Sequence, residues 1–210
     1  MLGIDLRGFG RSDLGILEDG EPILDRSGDV EAILDYLTHR HGVSGDRVFL
    51  VGHSFGAAQV LATLRRLAAT SSRRVARAIA IGPADYDVFV QGDQRMADYM
   101  AKVESNMGIR LTPEAMQREG ARLTPAVLFE TCPEVPVTVI VGGQDHGDTL
   151  WDRQEKIPPP CRDRIEWVHV PLSNHMYWTE GDTRFRFYRW RLSVSLLVRH
   201  LNSVLLESRD

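Results

Sequence analysis

Between Gly52 and Gly56 the sequence reads Gly-His-Ser-Phe-Gly, and the serine at its centre, Ser54, is a candidate nucleophile. A serine hydroxyl attacks a carbonyl only when it projects clear of the backbone and a nearby base can take its proton. Gly52 and Gly56 give room for that projection, because a sharp strand-to-helix turn packs backbone closely on both sides. The same turn leaves the Phe55 N–H at a helix start, where it can donate to a developing oxyanion. An apolar run, Val48 to Val51, precedes the motif and a helical pattern follows it, which is the context the turn requires. The competing reading, a plain turn serine, leaves both glycines and the groups downstream unexplained.

Those groups are an acid and a base. Asp145 lies just past the apolar run "VTVIVGG", and His175 just past "IEWVHVPL". In a parallel sheet both run-ends fall on the edge that carries Ser54, so Ser54, Asp145 and His175 can converge on one site. Asp148, Asp85 and Asp87 are the carboxylates that could stand in for Asp145. His169 falls inside a strand and is a poorer base than His175. His53, beside the nucleophile, is placed to pack or orient rather than to bridge serine and acid.

The elements that must position these residues alternate along the chain. Apolar runs of strand length occupy 1–6, 47–54, 75–82, 135–143 and 165–172, and most are near-continuous Val, Ile, Leu and Ala. Such runs suit strands covered on both faces. Amphipathic segments at 27–42 and 55–70 separate them; the first puts Val30, Ile33, Leu34 and Leu37 on one face and has Gly42 to stop it. The expected fold class is therefore α/β, a mostly parallel sheet with flanking helices. Residues 85–134 break the alternation with a helix-like stretch at 93–108 and a Thr112–Pro113 cap pair, so 1–84 and 135–210 read as the core and 85–134 as a short helical lid. Met96, Met100, Met107 and Met116 either line an apolar pocket beneath it or pack helix against sheet. Residues 183–208 read as a docked terminal helix, interrupted by Arg199 and His200.

Composition narrows the function classes. The chain of 210 residues is 43% hydrophobic and 26% charged, the balance of one domain with a core. A formal net charge of −4 gives no basic field for phosphate backbones or anionic lipid, so neither nucleic acid nor membrane is an expected partner. No apolar run reaches the length of a bilayer span and no signal peptide opens the chain, from which a cytoplasmic location is expected. Cys132 and Cys161 have no metal-ligand spacing. They are expected to be two reduced structural thiols, although a bridge is geometrically conceivable if the strands that follow them are parallel neighbours.

Taken with "DLRGFGRSD" at 5–13, the motifs "GHSFG", "GGQD" and "SNH" make the chain resemble the α/β-hydrolase superfamily over almost its whole length. The resemblance implies that Ser54 attacks a carbonyl, His175 shuttles the proton and Asp145 stabilises the imidazolium, with Phe55 supplying an oxyanion donor. It implies no metal and no organic cofactor, and it gives Glu180 a structural role near the final helix. If "MLGIDL" corresponds to the fold's fourth strand, the chain lacks the first strands of that fold and the loop that supplies the second oxyanion donor, as in an N-terminally truncated member. The expected activity is hydrolysis of a small or medium carboxylic ester through an acyl-enzyme on Ser54. Acyl transfer, perhydrolysis and aminopeptidase-like amide cleavage are alternatives with the same nucleophile. A non-catalytic ligand-binding member is the alternative from another class.

Overall fold

The computed structural model describes residues 2–7, 9–12, 17–18, 21–23, 25–70, 75–92, 112–143, 154–171 and 173–174, with isolated positions between 94 and 105 and between 195 and 202. Among these residues the main sheet has four parallel strands, β3 (Phe49–His53), β4 (Arg77–Ile81), β5 (Val137–Gly142) and β6 (Ile165–Val170), in that spatial order. A short antiparallel pair, β1 (Leu17–Glu18) and β2 (Glu21–Pro22), precedes them. The central strands bear out the near-continuous apolar pattern: every residue of β5 is buried, and so is β4 after its first residue.

Helix α1 (Ser27–His41) buries Val30 and Leu34 and ends at Gly42, whose φ of 61° is the left-handed stop that glycine adopts readily. Helix α2 (Phe55–Ala69) packs on β3 and β4, burying Ala57, Ala58, Val60, Leu61, Leu64 and Leu67. Its small residues let it lie close to the sheet, and α1 then packs on α2. Within the inserted stretch, α3 (Asp87–Gln91) meets the helix Pro113–Gly120, which Thr112 caps by accepting the Ala115 N–H at 3.2 Å. Met116, Leu123 and Phe129 belong to the same buried cluster as the α2 side chains, so Met116 serves packing. No described helix is long and apolar enough to cross a membrane.

Two expectations are corrected. Residues 2–6 form no strand: strand structure exists by pairing, and among the described residues nothing pairs with this run, whose Leu2 and Ile4 stay 59% and 40% exposed. The cysteines are not reduced thiols but the disulfide Cys132–Cys161. Because β5 and β6 are parallel neighbours, the segments entering them lie at one end of the sheet. That brings the two Cα atoms to 4.9 Å, within bridging range.

Candidate active site

Ser54 sits directly past β3 with φ 54° and ψ −117°, the one non-glycine residue with positive φ among those described. Such a conformation costs on the order of 1–3 kcal/mol and persists only where the surroundings impose it. The surroundings do so here. The Ser54 N–H donates to Ile81 O at 2.8 Å, and Ser54 O accepts the N–H groups of Ala57 and Ala58 at 3.0 and 3.3 Å. Gly52 bears the steric demand: a Cβ there would overlap the Gly56 carbonyl and come within 2.8 Å of the Ala57 nitrogen. At Gly56 a Cβ would meet nothing, so only its backbone is essential to the close approach, which corrects the expectation that both glycines give room. Phe55 opens α2, so its N–H belongs to the first turn, where no upstream helical carbonyl is in reach. Ser54 and Phe55 are half-buried, and His53 is exposed.

The strand ends step across the sheet in one row. Ser54 N donates to Ile81 O, Gly82 N to Ile140 O at 2.7 Å, and Gly143 N to Val170 O at 2.8 Å. All four strand ends therefore open on the edge that carries Ser54. Asp145, His175 and Glu180 lie outside the described residues, as do Asp148 and His146. Their neighbours are placed: a Cβ at Gly142 would come within 2.5 Å of Ser173 O and 2.7 Å of Asn174 O. The chain just before His175 thus folds over the end of the strand that leads to Asp145. Ser173, fully buried, donates from Oγ to Val170 O at 2.7 Å and fixes that fold-back.

Past β4, Asp85 is 2% exposed and its Oδ1 accepts the Asp87 N–H at 2.9 Å, while Asp87 pairs with Lys156. Asp85 is thus a buried carboxylate four residues past the end of β4, the strand that pairs with β3, and Asp87 is held in an ion pair. His169 is exposed in β6.

The loop of residues 5–12 also reaches the elbow, which the sequence did not show. Phe9 lies against Phe55 with ring centroids 5.3 Å apart and planes at 33°. The available signal was an aromatic residue set between Gly8 and Gly10. Behind the loop a cleft of about 450 Å³ is lined by Ile4, Asp5, Leu6, Arg7, Asp29 and Ile33.

A model of the family described as "Serine aminopeptidase, S33" matches residues 1–157. The protein YfhR of Salmonella typhimurium, described as uncharacterized, is 26% identical over 173 residues, covering 82% of this chain and 53% of its own length. YfhR of Salmonella typhi is 25% identical over the same extent. The chain spans about half the length of these curated relatives. Among solved structures, the alpha/beta hydrolase GrgF from Penicillium sp. sh18 superposes with a TM-score of 0.58 at 18% identity, covering 94% of this chain and 76% of that one. Mouse alpha/beta hydrolase domain-containing protein 10 gives 0.57 at 16%, covering 97% and 76%. E-2-(acetamidomethylene)succinate hydrolase gives 0.56 at 17%, covering 95% and 78%. At these identities the structural likeness speaks for the fold.

Proposed function

The chain belongs to the serine aminopeptidase S33 family, within the α/β-hydrolase superfamily, and from that premise we propose that it is a serine hydrolase cleaving small or medium carboxylic esters. The observation that carries this reading is the strained Ser54, held past the end of β3 with Gly52 pressed against the first turn of α2. Strained residues of this kind cluster at active sites, where the surrounding structure holds them. Ser54 Oγ bonds to the ester carbonyl carbon as its proton passes to His175, and Asp145 stabilises the imidazolium. The Phe55 N–H donates to the oxyanion, a contact of a kind worth about 2.7–4 kcal/mol in the transition state. Collapse breaks the bond to the alcohol, which leaves with the proton from His175. Water, deprotonated by the same imidazole, then releases the acid and restores Ser54. Residues 85–134 take the role of a cover over the strand ends, and the protein acts on a small-molecule substrate without metal or organic cofactor.

The test is intact-mass analysis after treatment with a fluorophosphonate, beside Ser54→Ala. One adduct that vanishes in the variant is the expected result; a folded protein with no adduct, or an adduct that survives the substitution, would overturn the reading. The family's description favours a second reading with the same nucleophile, cleavage of an amide at a peptide N-terminus. Turnover of amino-acid anilides exceeding that of simple esters would select it.

A further inference from the structure

The loop Asp5–Ser12 is held by an unusual concentration of polar contacts for a surface segment. The Asp5 carboxylate accepts the Arg11 N–H at 3.1 Å, and Ser12 Oγ donates to Asp5 O at 2.6 Å. Phe9 N donates to Leu6 O at 2.9 Å and Ser12 N to Phe9 O at 3.0 Å. Arg7 ties the loop to the first turn of α1, its backbone N–H reaching Asp29 Oδ2 at 3.2 Å and its Nε reaching Oδ1 at 3.0 Å. Gly10 turns the chain at φ +56°, where a Cβ would overlap the Asp5 carboxylate. These contacts hold in place the one large apolar residue at the loop's tip, Phe9.

Phe9 is 40% exposed, yet one side of its ring rests on Phe55. Phe55 in turn packs on the hydrophobic core and is bonded directly to Ser54. The two rings form an aromatic surface that is fixed from behind and continuous with the nucleophile's own backbone. An exposed aromatic ring already immobilised binds an apolar group without the entropy loss of ordering a mobile one.

We propose that Phe9 and Phe55 form the subsite for the acyl group of the ester, and that this subsite selects aromatic or longer aliphatic acyl groups over acetyl. The proposal deepens the ester-hydrolase reading and rests on it for turnover, though not for binding. Phe9 is a specificity-determining residue that touches the part of the substrate remote from the reacting carbonyl.

The experiment compares ethyl benzoate, ethyl hexanoate and ethyl acetate with Phe9→Ala and Phe9→Leu variants. Phe9→Ala should lower the benzoate-to-acetate ratio of kcat/KM about tenfold, mainly through KM, the scale expected for one lost aromatic contact with its buried area. Phe9→Leu, which keeps apolar bulk and guards against a folding failure, should retain most of the hexanoate preference and lose part of the benzoate preference. Fluorophosphonate labelling of Ser54 should persist in both. An unchanged ratio overturns the subsite, and so does a loss shared equally by all esters and by labelling, which would make Phe9 a support for the elbow. A second arm needs no turnover: equilibrium binding of ethyl benzoate to the Ser54→Ala protein should weaken about tenfold on adding Phe9→Ala. Equal affinities would refute the subsite. Absence of labelling with that affinity difference intact would instead refute the hydrolase reading alone.

Discussion

Opening the Cys132–Cys161 bridge should destabilise the protein by an amount that its topology sets. The cysteines are separated by 29 positions. The entropy lost by an unfolded chain closed into a loop of that size corresponds to about 3.6 kcal/mol at 25 °C, between the values of about 3 and about 4.7 for loops of about 15 and 100 residues. The native state should change little on reduction, because Cys132 is only partly buried and its thiol can turn away as the sulfurs part, leaving Cys161, 1% exposed, packed in the core. The effect therefore falls on the unfolded chain. Urea titration of the oxidised protein and of the same protein in a phosphine reductant isolates it. With a slope of about 2 kcal/mol per molar urea, the midpoint should fall by about 1.8 M. A Cys132→Ala/Cys161→Ala variant should fall further, because it also empties the volume of a buried sulfur. Coincident curves with and without reductant, or two alkylatable thiols in the untreated protein, would refute the reasoning.

Other substitutions separate what holds the fold from what builds the site. Gly52→Ala should cost about 1–3 kcal/mol through overpacking and abolish rapid fluorophosphonate labelling, whereas Gly56→Ala, with open space at its Cβ, should raise the urea midpoint, since alanine in a helix is favoured by about 0.5–1 kcal/mol. Equal effects of the two would contradict the contact seen at Gly52. Thr138→Val removes the hydrogen bond from Thr138 Oγ1 to Glu166 Oε2 at 2.8 Å and should cost about 1 kcal/mol in denaturant titration. Asp145→Asn should lower kcat by more than Asp85→Asn; the reverse order would assign the catalytic acid to the buried carboxylate after β4.

What could be read in the sequence was what depends on local pattern. β4 and β5 sit in solid apolar runs, α1 stops at Gly42 and α2 starts at the elbow, so their bounds emerged within a residue or two. The Gly-His-Ser-Phe-Gly elbow was legible because its steric demand is met within a few residues. The fate of "MLGIDL" was not, because an apolar run becomes a strand only when another strand accepts its backbone groups. The bridge was visible as geometry, since both cysteines precede neighbouring strands, but the inferred compartment was given more weight than that geometry. Contact between Phe9 and Phe55 joins residues far apart in sequence and follows from no periodicity.

The strain at Ser54 persists because the helix that follows it is buried and held in place. A serine with positive φ would relieve about 1–3 kcal/mol by unwinding the first turn of the helix behind it. Unwinding is opposed within that turn by the contact of Gly52 with the Gly56–Ala57 backbone and by Ala57 and Ala58, both fully buried, while side chains further along anchor the helix as a whole. Leu61, Leu64 and Leu67 are each under 5% exposed, and exposing any one of them would cost about 1.5–3 kcal/mol. Gln59, one turn in, accepts the Arg26 N–H through Oε1 at 2.6 Å, so α2 is also joined to the segment entering α1. Helix burial thus outweighs the elbow's strain, and stability and activity should respond to different substitutions. Leu61→Ala should cost about 2–5 kcal/mol of stability, yet the protein that remains folded should label at Ser54 at nearly the original rate. A labelling rate that fell in proportion to stability would mean that the elbow is held by the whole helix in a graded way, and not by the contact of Gly52 with the first turn.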